Sequence, residues 1–127
     1  QTRKPPGGLA GAPYLLENDI DISQLAEPLC VLRGTARESA RAFPANVNVA
    51  AALALAGIGP DKTLVEVWAD PGINRNMQSV TIESDSGEAT MVMKNIPSDE
   101  NPRTGKIVAN SVIATLRRMT ATLVVGS

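Results

Sequence analysis

Along the chain the spacing of apolar residues shifts from a helical period to a period of 2, and returns to a helical period near the end. Residues 29–36 form a mostly apolar run that predicts a strand, with Gly34 as a candidate bulge. Residues 37–43 predict a short helical turn, which stops at Pro44 because the residue before a proline is pushed out of the α region. A helix is predicted from about 46 to 58. It is alanine-rich and apolar on almost every side, so it is expected to be buried, and Gly57, Gly59 and Pro60 supply its stop signals.

In the second half, Val65, Val67 and Ala69 share one face of a strand over 64–70. Gln78, Val80 and Ile82 share one face of a strand over 77–84, opposite Ser79, Thr81 and Glu83. After the turn Asp85-Ser86-Gly87, a third strand is predicted over 88–96. Three adjacent strands suggest an antiparallel meander with one buried face. A polar loop (97–103) leads into a helix over about 104–123, where Val108, Val112, Leu116 and Met119 recur on one stripe in the pattern of a core-facing helix. Residues 1–11, rich in Pro and Gly after Arg3 and Lys4, read as an extended segment entering a loop. Helices and strands segregate, so the expected class is α+β, a mainly antiparallel sheet covered on one face by two main helices.

Composition narrows the chemistry. The 127 residues suit one domain with one core. Twelve basic and thirteen acidic residues leave a net charge of −1, too weak a field to gather nucleic acid or anionic lipid. Aromatics at 2% give no platform for stacking bases. With no histidine and one cysteine, structural zinc, Cys-His or Ser-His-Asp nucleophile systems and internal disulfides are excluded, and no metal is expected. Cys30, in an apolar stretch, is expected to be buried and inert. The longest apolar run, 49–58, falls far short of the roughly twenty residues that span a bilayer, and no targeting peptide is visible. A start at Gln1 rather than methionine is what a fragment or cleaved product would show.

Gly7, Gly8 and Gly11 lack the G-x-G-x-x-G spacing of a phosphate cradle. The acidic residues over 17–22 suit a solvated turn or strand edge better than a cation site. Three places remain. Asn46 suits the N-cap of the alanine-rich helix, which leaves Asn48 without capping work and free to face a loop or a ligand; a carboxamide suits another carboxamide, offering both donor and acceptor. Gln78 is turned inward by the alternation of its strand. Either it is a satisfied core glutamine or it serves a site, since a buried amide without partners costs about 1–3 kcal/mol. The loop over 97–106, with Asn101, Pro102, Arg103 and Thr104, either caps the last helix or holds an anion at its N-terminus.

Phe43-Pro44-Ala45-Asn46-Val47-Asn48-Val49-Ala50, Ala69-Asp70-Pro71, Arg75-Asn76-Met77-Gln78 and Asn101-Pro102-Arg103-Thr104 occur in order, after an opening Thr2-Arg3-Lys4-Pro5-Pro6. Together they make essentially the whole chain resemble the C-terminal domain of the L-aspartate dehydrogenase family. The resemblance implies a two-domain cytoplasmic enzyme. Its N-terminal dinucleotide-binding domain is absent from this chain, and its C-terminal α+β domain supplies catalytic residues and much of a homodimeric or higher homo-oligomeric interface. The implied reaction is oxidative deamination of L-aspartate, a small dicarboxylic amino acid, with NAD or NADP, giving iminoaspartate and then oxaloacetate and ammonia. In some organisms the imine feeds quinolinate and NAD synthesis. On this resemblance Asn48 falls at the cofactor-contacting asparagine, and Gln78 falls where the family carries its catalytic histidine. Lys4, Arg75 and Arg103 are candidates to meet the dicarboxylate.

Glutamine donates and accepts hydrogen bonds but does not exchange protons usefully at pH 7, and loss of general acid–base catalysis is typically worth about 10²–10⁴ in rate. The alternative is therefore a non-catalytic oligomerisation or ligand-binding module that kept the fold.

Overall fold

The computed structural model describes residues 1–99 and 105–123. Gln1–Lys94 forms one compact unit, and the chain from Asn95 onward forms a second.

The first unit is built on five strands: β1 (Thr2–Lys4), β2 (Leu29–Thr35), β3 (Leu64–Ala69), β4 (Met77–Ser84) and β5 (Gly87–Lys94). They form one mixed sheet in the order β2-β3-β1-β4-β5. β1 runs parallel to β3 and antiparallel to β4, and the remaining neighbours are antiparallel. The class is α+β with a mainly antiparallel sheet, as expected. The meander is corrected, because β1 inserts between β3 and β4. Three residues give barely one period of alternation, too little for a pattern in sequence to reveal a strand. Both edges of β1 are nonetheless paired, and the prolines at 5 and 6, which lack an N–H, end it.

The register sorts side chains onto two faces. Thr2 pairs with Val67 and with Gln78, and Lys4 pairs with Ala69, so these residues share the face on which Val65, Val67 and Ala69 are buried. Arg3, Trp68 and Met77 lie on the other face. The inner face is covered by α2 (Ala36–Ala42), which packs on β2, β3 and α3 (Asn48–Ala56). The start of α2 is fixed by a capping box: Thr35 Oγ1 accepts from the Glu38 N–H at 3.2 Å, and Glu38 Oε2 accepts from the Thr35 N–H at 2.7 Å. Phe43, directly after α2, is fully buried, and its ring meets that of Tyr14, from the short helix α1 (Pro13–Glu17), at 5.6 Å.

Two expectations about burial are overturned. α3 is not buried all round: Ala54 is its one buried residue, Ala50 leans on the core, and Leu55 is 81% exposed. Alanines four apart pack a helix closely through one stripe and leave its other sides to solvent. Gly59, at φ +91°, turns the chain out of this helix. The β4–β5 hairpin carries Val80, Ile82, Met91 and Met93 on one face by register, yet Ile82 and Met91 are more than half exposed.

In the second unit α4 (Lys106–Thr120) begins and ends within the predicted span, but the stripe of Val108, Val112, Leu116 and Met119 that was expected to face the core is exposed. Lys106 Nζ reaches Asp99 at 2.8 Å. Asn101, Pro102, Arg103 and Thr104, the candidate anion loop, lie outside the described residues. Among the described residues no helix is long and apolar enough to cross a membrane.

Replacing Phe43 with alanine empties the centre of this core. We expect a loss of about 3–5 kcal/mol in unfolding free energy by chemical denaturation.

Candidate functional site

Strand alternation directs Lys4 inward, and only 9% of it stays exposed. A lysine this covered is normally paired with a carboxylate. Among the described residues the only hydrogen-bond partner of its ammonium is a neutral group, Asn46 Oδ1, at 2.7 Å, and none forms an ion pair with it. Burial pushes the Lys4 amine below the ordinary lysine value, because desolvation disfavours the charged form.

Asn46 is therefore not the helix cap that its position suggested. The cap of α3 is Val47, which makes no side-chain capping bond, and the Asn46 amide turns to Lys4. Asn48, the first residue of α3, is exposed and makes no side-chain hydrogen bond to a described residue. Gln78 stands on the same sheet face as Lys4, directly across from Thr2. It is half-buried rather than sealed in the core, and it has a partner. Asn76 also belongs here: a Cβ built on Gly8 would stand 3.7 Å from Lys4 Cβ and 3.9 Å from Asn76 Oδ1. The fold thus gathers one ammonium and the amides of Asn46 and Asn76 around the point where β1 meets β4, with Gln78 beside them. Asn48 follows two residues after Asn46 in the chain.

Other cations are committed elsewhere. Arg3, on the outer face, binds Asp70 Oδ2 at 2.9 Å and lies 4.9 Å above the Trp68 ring. Arg33 pairs with Glu66 at 2.8 Å, and Glu66 also accepts from Trp68 Nε1 at 3.0 Å. Arg75 is exposed and donates to Asn74 Oδ1 at 3.3 Å. Cys30 is half-buried, and burial followed by the Glu66 carboxylate pushes its thiol up, away from the reactive thiolate. In the acidic stretch, Asp21 accepts from the Ser23 N–H at 2.8 Å, closing a turn. Among the described residues no group of three or more His, Cys, Asp and Glu is arranged to hold a metal. A shallow recess of about 360 Å³, lined by Tyr14, Leu32, Arg33, Glu38 and Arg41 among others, contains none of the amide-cluster residues. Asn46, Asn76 and Gln78 are each half-buried around the covered Lys4.

Sequence reasoning named Lys4 only as one of three cations and missed its link to Asn46. The signal was the alternation in Thr2-Arg3-Lys4, whose first and third residues are buried.

The sequence model of the family described as "Aspartate dehydrogenase, C-terminal" matches residues 1–119. The chain is 57% identical over 126 residues to the L-aspartate dehydrogenase of Bradyrhizobium diazoefficiens, covering 99% of this chain and 45% of that protein. It is 44% identical to the L-aspartate dehydrogenase of Methanosarcina mazei, covering 46% of it. The crystal structure of aspartate dehydrogenase from Thermotoga maritima superimposes with a TM-score of 0.73 at 27% identity, over 98% of this chain and 44% of that one. The chain thus spans a little under half the length of the curated relatives it matches.

The buried amine also sets a pH dependence. Its folded-state pKa lies below the ordinary value of 10.5, so between those two values the unfolded chain binds more protons and stability rises with pH. We expect wild type to gain stability relative to Lys4→Met as pH climbs towards 10.5, read from denaturation midpoints across alkaline pH.

Proposed function

Because the chain belongs to the family of aspartate dehydrogenase C-terminal domains, we propose that it is the catalytic and subunit-pairing part of an NAD- or NADP-dependent oxidoreductase that oxidatively deaminates L-aspartate. The products are iminoaspartate and, after hydrolysis, oxaloacetate and ammonia. The observation that carries this reading is the inner-face cluster, where a buried ammonium and amide side chains gather beside the Gln78 position. That combination suits an anionic, amine-bearing small molecule: the cation meets a carboxylate and the amides meet the amine.

The nicotinamide end of the cofactor fits one residue. Asn48 presents an exposed carboxamide that no described residue engages, complementary to the carboxamide of nicotinamide. Nothing in these 127 residues suits the pyrophosphate, since no G-x-G-x-x-G follows a strand. That part of the cofactor, and the second wall of the cleft, fall to a dinucleotide-binding domain outside these residues. When bound, the nicotinamide supplies the hydride acceptor. Within this chain, Asn48 orients it and Gln78 holds the substrate amine or the attacking water by hydrogen bonds. A glutamine cannot take the proton that a histidine there would move, so proton transfer passes to solvent and turnover is slow.

Self-association is supported by the β4–β5 hairpin, whose apolar face leaves Ile82 and Met91 more than half exposed. Such a face on a small unit is normally covered by a partner. Replacing Ile82 with glutamate is expected to shift the protein towards monomer in sedimentation.

The test of activity joins this chain to its dinucleotide-binding domain and follows reduction of NAD or NADP with L-aspartate. We expect Gln78→His to raise kcat by about 10²-fold or more and Asn48→Ala to raise KM for the dinucleotide without a matching change for aspartate. Indifference of kcat to Gln78→His removes Gln78 from the site. A stable oligomer blind to dinucleotide and dicarboxylates alike supports the non-catalytic module, which the glutamine at this position favours.

A further inference from the structure

An ammonium removed from water without a counter-ion is costly, by several kcal/mol in a dry interior and less where some contact with solvent remains. Folds keep such a group where a ligand brings the missing charge. Lys4 meets this description in three respects. Its side chain is held in place, with the stem packed beside Gly8 and Nζ donating to Asn46 Oδ1 at 2.7 Å. That single neutral acceptor leaves two of its three N–H donors for something else. And no carboxylate of a described residue pairs with it, although Arg3, Arg33 and Lys106 each have one.

We propose that Lys4 is the carboxylate-binding residue of this domain, its ammonium receiving a carboxylate of a small dicarboxylic ligand on the inner sheet face between Asn46 and Gln78. The proposal rests on the reading above for the class of ligand. It goes beyond it by assigning to one residue the cation that the reaction requires. Among the described residues the rivals are weaker: Arg75 is exposed, and an exposed ion pair is worth little in water. Arg3, whose Asp70 partner is 5% exposed, is already neutralised on the opposite face. The neighbouring amides add what a carboxylate needs besides charge. The Asn46 amide, whose oxygen accepts from Lys4, still has its two N–H donors, and Asn76 lies nearby, its Oδ1 3.9 Å from where a Cβ on Gly8 would stand beside the lysine stem.

Succinate is the probe, being a four-carbon dicarboxylate without the amine, so that it binds but cannot be oxidised. Amide chemical shifts of the chain joined to its dinucleotide-binding domain are followed during titration at low ionic strength. We expect saturable shifts at Lys4, Asn46, Asn76 and Gln78 that weaken with added salt. Lys4→Met is expected to weaken binding at least about tenfold, while its unfolding midpoint at neutral pH stays equal to wild type or rises, because an apolar side chain no longer has to hide a charge. Arg75→Gln is expected to bind as wild type does. Succinate is also expected to raise the titration midpoint of the Lys4 amine, a change that a purely structural lysine would not show. The proposal is overturned if wild type shows no saturable shifts, if Lys4→Met binds equally well, if Arg75→Gln abolishes binding, or if the Lys4 amine titrates unchanged in the complex. Its failure is separable from failure of the enzymatic reading: turnover of aspartate with Lys4→Met binding succinate normally rejects the role of Lys4 alone, whereas Lys4-dependent binding without any turnover rejects the dehydrogenase and keeps the carboxylate site.

Discussion

The opening four residues hold the sheet together. The pair β2–β3 and the hairpin β4–β5 are joined through β1 and through Gln1 before it, which exchanges backbone hydrogen bonds with Ser79 on β4 and donates its side-chain amide to Glu66 on β3. The register of that strand leaves no freedom about what its side chains do. With Thr2 opposite Val67, the next inward position belongs to residue 4, and the sequence puts a lysine there. A charged residue in a buried strand position is a standing cost to the fold. The fold partly offsets it with the amide of Asn46, recruited from the turn before α3. Much of the unusual chemistry on the inner face follows from this one placement.

The same face exposes a division of labour. On the proposed reading, Gln78 stands where the resemblance implies a histidine. Hydrogen-bonding capacity and reach survive that exchange, while titration near neutrality does not. On that reading such a domain keeps the groups for recognition and gives up the one for moving protons.

Much of the architecture was legible in the sequence. The alternation of Val65, Val67 and Ala69 located β3 and its buried face, and Met77–Ser84 was bounded correctly. Helix α2 was placed within one residue, and its end at Pro44 followed from sterics alone. The errors share a cause. A pattern in one strand says which residues share a face but not which strand lies beside it, so β1 went unseen and a meander was expected in its place. Apolar composition says that a helix can be buried, not that enough protein exists to surround it, and α3 kept Leu55 in solvent. In the site, Gln78 was legible from alternation, whereas the Lys4–Asn46 contact joins residues 42 positions apart and leaves no local trace.

Such long separations also govern the order of assembly. β4 and β5 are joined by a two-residue turn and can zip as neighbours, as can α2 onto β2. β1 must wait, because its partners at Val67 and Gln78 arrive more than sixty residues later along the chain, and closing so large a loop is slow relative to local pairing. During synthesis on the ribosome the opening segment would therefore linger unpaired until Gln78 had emerged, and the amide-and-ammonium cluster could form only then.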